Sequence, residues 1–179
     1  MNRTRIAAIV AGLAAVLVSA AVASAAPAGG GIRLYVTGAG QLHQKVLIVG
    51  AIGDYGSSTS VDANGKPNPN GNFEQLKLQD GSLLVDATKF NAVGNHARPT
   101  LASAKTCSVV VSWSGSASIV RGTGHYSGVS GDLKLQGTFA GVSARFKSGP
   151  HKGQCQMGNN AAPRAFFISV TGAGNVKLG

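Results

Sequence analysis

"RGTGHYSGVSGD", Arg121 to Asp132, places glycines at 122, 124, 128 and 131 and runs directly into the alternating segment "LKLQGTFA". A dinucleotide-binding loop needs glycines at its first, third and sixth positions, a strand before it and a helix after it. Counting from Gly122, the sixth position is Ser127, and the segment that follows has the alternation of a strand. No helix N-terminus is therefore offered to a pyrophosphate. The other phosphate loop, ending in Gly-Lys-Ser/Thr, is absent too: "NGKP" at 64–67 closes on proline. The four glycines read instead as sheet architecture, supplying positive backbone dihedrals, bulges and close strand approach. Tyr126 lies among them, where an aromatic ring can cover a glycine on an adjacent strand.

Period-two alternation extends on both sides of this stretch. Upstream, Cys107, Val109, Val111, Trp113, Gly115, Ala117 and Ile119 share one face, while the other is serine at five of seven positions, so a strand with one buried and one polar side is expected. Fourteen residues at strand rise would span about 46 Å, long for one strand, and a kink is expected near Ser114–Gly115. Downstream, Leu133, Leu135, Gly137 and Phe139 oppose Asp132, Lys134, Gln136 and Thr138. Gly141 interrupts that run before Val142, Ala144 and Phe146 alternate again. Further strands are expected at Ile32–Val36, Lys45–Gly50, Asn72–Gln79, Leu83–Thr88 and Ala165–Thr171, with a short last one at Asn175–Leu178. Connectors rich in Gly, Asn and Pro separate them, notably "DANGKPNPNGN" at 62–72. Helix signals are poor, and "DATKFNAVGNHARP" suggests one short turn. Some eight to ten short antiparallel strands point to an all-β barrel or sandwich, in which closure hides sheet edges. "VTGAG" occurs at Val36–Gly40 and again at Val170–Gly174, which suggests neighbouring strands with similar strand–turn roles where a barrel closes.

"IVRGTGHYSGVSGDLKLQG", Ile119 to Gly137, resembles the G-T-G-x-[YF]-x-G-x-x-G signature of the allene oxide cyclase-like and dirigent-like barrels, and small secreted bacterial proteins of the same pattern. "TFAGV" and "FFISVTGAG" agree more loosely. The resemblance implies an antiparallel barrel of about eight strands, often oligomeric, with a central cavity in which some members cyclise or orient reactive small molecules. "RGTGHY" stands where dirigent proteins more usually have "GGTGxF". The signature is a glycine framework, and no functional residue of the family is carried over.

The chain begins with a basic "MNRTR", an uncharged alanine-rich run from Ile6 to Val22 and a small-x-small site at Ala23–Ala25. These are the three regions of a secretory signal peptide, so cleavage after Ala25 is expected. The organisation follows: signal peptide 1–25, flexible N-terminus 26–31, barrel domain 32–179. The mature protein is expected to be secreted and to carry no membrane span. Of the 179 residues, 154 would remain, enough for one domain with a real core. Fourteen basic and six acidic residues leave it at +8. The basic residues are scattered, which suits weak, salt-sensitive attraction to an anionic cell-surface polymer. Cys107 and Cys155 are the only cysteines, and in an exported chain two cysteines pair.

Chemistry-bearing motifs are few. His43, His96, His125 and His151 show no metal-ligand spacing, and no metal or cofactor is read from the chain. No G-x-S-x-G elbow occurs. Basic residues are not interleaved with aromatics on one face, so no specific nucleic-acid partner is expected. Of the carboxylates, Asp62 and Asp80 fall in loops, whereas Glu74, Asp86 and Asp132 lie on or beside strands, where one facing a cavity would act as a general base with a raised pKa. Trp113, the sole tryptophan, is on the apolar face of its strand and is the candidate wall for a flat ligand. Three functions suit this reading. The first is a non-catalytic module binding a small apolar ligand or an anionic surface component. The second is a cofactor-free cyclase or isomerase working by proximity and desolvation. The third is a structural cell-surface interaction protein. A cavity with two or more polar groups favours the enzyme, a wholly apolar one favours a carrier, and a filled barrel excludes both.

Overall fold

Alternation of apolar and polar residues is converted into nine strands and one helix in the computed structural model, which describes residues 29–39, 43–156 and 163–179. The expected signal peptide, 1–25, lies outside the described residues. The elements in chain order are β1 (Gly29–Gly38), β2 (Gln44–Gly50), β3 (Asp54–Val61), β4 (Phe73–Leu78), β5 (Gly81–Asp86), α1 (Thr88–His96), β6 (Pro99–Ser103), β7 (Ser108–Gly124), β8 (Ser130–Ser143) and β9 (Pro163–Lys177). All neighbouring strands pair antiparallel, in the order β5-β4-β3-β2-β1-β9-β8-β7-β6, and β5 also pairs with β7. That last pairing closes an eight-stranded antiparallel barrel and leaves β6 as a ninth strand on the margin of β7.

Side chains of one parity fill the interior: Ile32, Leu34 and Val36 from β1, Val46 and Ile48 from β2, Leu76 and Leu78 from β4, Leu133 and Leu135 from β8. Each such aliphatic side chain contributes about 1.5–3 kcal/mol by leaving water. β3 departs from the pattern, since its buried positions include Asp54, Ser58 and Ser60. That polar inner face is why alternation of hydrophobicity does not reveal β3 in the sequence. β6, short and exposed along most of its length, is hidden for the opposite reason.

The expected kink at Ser114–Gly115 does not occur. β7 is one strand of 17 residues. Its pairing with β8 is unbroken from Ser108↔Val142 to Ile119↔Gly131. Such length is tolerated because its other margin is divided between two partners. β6 pairs with Ser108–Val111, and β5 pairs with Ser118–Gly124. The irregularity lies further on: Val85 pairs with Ile119 and Leu84 with Arg121, so Val120 is an extra, bulged residue. In the gap between β6 and β5 sits α1, whose Phe90 packs over Gly115. The expected short turn is thus a nine-residue helix. Asp86 Oδ1 accepts from the Thr88 N–H at 2.9 Å and supports its start. The helix ends before Pro99, and only Phe90 of its residues is buried, too little to show a 3.6-residue period.

Three smaller corrections concern the ends of strands. β1 begins at Gly29, inside the segment expected to be a flexible tail at 26–31, because Gly29, Gly30 and Gly31 pair with Lys177, Val176 and Asn175. The expected separate strand Asn175–Leu178 is the continuation of β9. Gly141 does not interrupt β8, which continues to Ser143. The strands that carry the two "VTGAG" segments are neighbours, but the segments meet only at Val36↔Val170 and run in opposite directions from that pair. Val170–Gly174 is mid-strand, however, and has no turn role.

A closed end and an open end

The two ends of the barrel differ in what plugs them. At one end the turn after β7 folds inward, and Tyr126 and Val129 join the core. The Tyr126 Oη donates to Asp54 Oδ2 at 2.6 Å. Asp54 also accepts from the backbone N–H groups of Tyr55, Gln79 and Asp80 at 2.6, 3.2 and 3.1 Å. Burial pushes the Asp54 carboxyl up, but donation from Tyr126 and from these three N–H groups outweighs it, so the group lies below its ordinary range. The Tyr126 hydroxyl is pushed well above its usual range, by burial first and by the neighbouring Asp54 charge.

The glycines of the opening stretch make this plug feasible. Gly124 and Gly128 have φ of +62° and +79°, in the left-handed region. An added Cβ at Gly122 would overlap the Tyr126 carbonyl oxygen, and one at Gly131 would overlap that of Asn175. The ring of Tyr126 lies against Gly81 of β5, with its Cδ2 3.2 Å from where a Cβ would stand.

The opposite end carries the long connections, and none of the described residues plugs it. There α1 and the loop 62–72 frame the mouth of the barrel.

Candidate functional site

The open end leads into a cavity of about 660 Å³. One wall is apolar and aromatic: Phe90 from α1, Trp113 from β7 and Phe139 from β8, with Val36 and Val170. Phe90 and Trp113 lie with ring centroids 5.3 Å apart and planes tilted by 35°. Small residues make their seats. A Cβ on Gly137 would stand 2.6 Å from the Trp113 ring and 2.8 Å from the tip of Phe90. One on Gly94 would stand 2.9 Å from Trp113 Nε1, which is buried without a hydrogen-bond partner among the described residues.

The facing wall is polar, supplied by the inner face of β3 and by Gln44 and Glu74. Ser58 Oγ donates to Glu74 Oε2 at 2.7 Å and Ser60 Oγ donates to Glu74 Oε1 at 2.6 Å. Burial pushes the Glu74 carboxyl above its ordinary range, and the two hydroxyls restrain that rise. Asn72, Asn91 and Asn95 add neutral polar groups nearer the rim. The cavity therefore pairs an aromatic surface with one half-buried carboxylate.

The sequence candidates are distributed unevenly. Trp113 lines the cavity. Of the three strand carboxylates, Glu74 faces the cavity. Asp86 bonds the start of α1, chiefly through Thr88, which holds its carboxyl below the ordinary range. Asp132 accepts from exposed Ser118 Oγ at 2.7 Å. Glu74 was singled out with two others, although parity separates it from them: it stands two and four residues before the inward Leu76 and Leu78. Asp54, Ser58 and Ser60 carried no signal, because their strand lacks apolar alternation. The four histidines are exposed and dispersed. No three His, Cys, Asp or Glu side chains gather in metal-binding proximity among the described residues.

Cys107 and Cys155 form a disulfide with Cα atoms 5.3 Å apart. It ties the start of β7 to the 144–156 segment. Arg145 reinforces the tie, donating to the Gly153 and Lys105 carbonyls at 2.6 Å each. This end also concentrates positive charge. Arg98, Lys105, Arg145, Lys147, Lys152 and Arg164 are exposed, and neither 97–113 nor 138–168 contains an Asp or Glu. Leu101, Val142, Phe146 and Phe167 are exposed in the same segments.

Fold and cavity together define an antiparallel barrel closed at one end and hollow at the other. Comparison of the chain with protein families, with curated proteins and with solved structures finds no match.

Proposed function

We propose that this is an exported barrel that binds a small, flat, largely apolar molecule in its open end, with Glu74 holding the molecule's one polar group. The observation that carries the reading is the pairing of an aromatic wall with a single carboxylate in a cavity of about 660 Å³. Ligand pockets are of this size, and placed polar groups facing an aromatic wall are how they fix a ligand's orientation. The glycine signature of the allene oxide cyclase-like and dirigent-like barrels supports the same reading, since a central cavity is what that resemblance implies. The test is native mass spectrometry of protein recovered from the medium of the cells that make it, joined to Trp113 fluorescence. A retained small molecule, whose removal shifts the Trp113 emission, is expected. Protein that carries nothing, with emission indifferent to added hydrophobic compounds, would overturn the reading. The intact mass also tests cleavage after Ala25.

A second reading, a cofactor-free isomerase or cyclase, is favoured by the number of polar groups in the wall, among them Gln44, Ser58, Ser60 and Glu74, and by the burial that raises the basicity of the Glu74 carboxylate. Glu74 would take a proton from a bound substrate while the aromatic wall holds it in a reactive shape. Retained binding with lost turnover in Glu74→Gln distinguishes this reading from a carrier. The basic excess at the open end suits attraction of that end to an anionic cell-surface polymer. Any self-association would be read from the same native spectra.

A further inference from the structure

We infer that the cavity is selective for a cation: a small molecule bearing a protonated amine on a flat apolar body, with the ammonium at Glu74 and the body against Trp113 and Phe90. This rests on the reading of the open end as a ligand site and adds the sign of the ligand's charge.

Glu74 is the one titratable side chain in the cavity wall among the described residues; no Lys, Arg or His lines it. Its two oxygens each accept one serine hydroxyl. A carboxylate offers about four acceptor sites, so capacity remains for a further donor. Both serines are neutral, and they orient the carboxylate without cancelling its charge. A half-buried carboxylate with no counter-charge beside it gains from a mobile one, and the burial that lifts the carboxyl's pKa agrees with that lack. The opposite wall suits the same ligand, because the faces of Trp and Phe attract cations and stack on flat bodies. A metal ion fits poorly, since one carboxylate and two hydroxyls are a sparse set of donors for calcium and the wrong set for zinc. An anion would meet Glu74 directly. The exposed basic residues of the rim would attract an anion to the surface, but they do not line the cavity.

Three probes of one shape test the inference on the full, disulfide-bonded protein: 1-naphthylmethylamine, 1-naphthylmethanol and 1-naphthoate, titrated by calorimetry at pH 7. The amine is expected to bind about tenfold or more tightly than the alcohol, and the carboxylate most weakly. In Glu74→Gln the amine should lose its advantage and bind no more tightly than the alcohol binds to the same variant. A glutamine can still meet both serine hydroxyls, and an unchanged circular dichroism spectrum will verify the fold. A wild-type measurement needs no variant: the amine stays protonated across the acid range, so its advantage should shrink as Glu74, the one titratable group of the wall among the described residues, takes up a proton. Equal affinities, or tighter binding of the carboxylate, would overturn the charge inference while leaving the cavity a ligand site. Failure of all three to bind would overturn both.

Discussion

Tyr126 and Asp54, 72 residues apart in the chain, meet in a 2.6 Å hydrogen bond that seals one end of the barrel. The bond links the glycine-rich turn after β7 to the start of β3. Tyr126→Phe should cost about 1.5–3 kcal/mol, the range for a bond to a charged acceptor, read as a lowered urea midpoint. The pH dependence has two sides. The Asp54 carboxyl is held below its ordinary range in the folded state, so its contribution is present above the unfolded value of about 4 and is lost as pH falls through the folded one. Tyr126 is held above its ordinary range, so its contribution is present below about pH 10 and declines as pH rises beyond that. Asp54→Asn should flatten the acid limb of the stability profile.

Gly122 and Gly53 make a controlled pair. A methyl group at 122 would overlap the Tyr126 carbonyl, whereas at 53 nothing lies within 4 Å. Gly122→Ala should lose about 3 kcal/mol or more, since backbone must move. Gly53→Ala should stay within about 0.5 kcal/mol of the parent. Thermal denaturation of the two variants side by side checks the contrast.

The Cys107–Cys155 bridge closes a separation of 48 residues. In the chain-entropy model such a loop restricts the unfolded state by about 4 kcal/mol. Reduction, or the double Cys→Ser variant, should lower the melting temperature by a comparable amount of stability. Loss of the Trp113–Phe90 contact is not expected, and near-ultraviolet circular dichroism at temperatures below the new transition will check it.

Glu74 should behave oppositely to Asp54. Its carboxyl is raised by burial, so the folded state favours the protonated form. Its effect on stability is therefore absent at low pH and becomes a penalty as pH rises through the folded value. Glu74→Gln should raise the melting temperature at pH 7 and leave it unchanged in acid. A lower melting temperature at pH 7 would mean that the carboxylate is itself a support of the fold.

The open end should hold anionic polymers in a salt-dependent manner. Replacing Lys147, Lys152 and Arg164 by glutamine is expected to weaken retention on a polyanionic resin and to reduce its salt slope, most visibly near physiological ionic strength. Replacing Lys77 and Lys134, which lie outside those segments, should do less.

Strands were legible wherever one of their faces is apolar. β1, β2, β7 and β8 alternate because water lies on one side and packed side chains on the other, so period two is written into their composition. The turn after β7 was legible through its glycines, because Gly122 and Gly131 leave no volume for a Cβ and Gly124 and Gly128 adopt positive φ. Trp113 was legible as part of the apolar face, and the cysteine pair through its count alone.

The cavity was decided by the tertiary structure. Asp54, Ser58 and Ser60 share the inner face of one strand, yet Asp54 belongs to the sealed end and the two serines to the hollow one. Sequence patterns report which side of a strand faces inward; they do not report how far along the barrel axis a residue sits, or which distant residue stands across from it. Glu74 meets Ser58 and Ser60 only because β3 and β4 pair in one register, and Phe90 reaches Trp113 only because β5 and β6 leave a gap along β7. The local residue pattern determined antiparallel strands with one buried face, since that follows from sterics and burial within a few residues. Register and closure, which are long-range, decided that one end is plugged by Tyr126 and the other is hollow around Glu74.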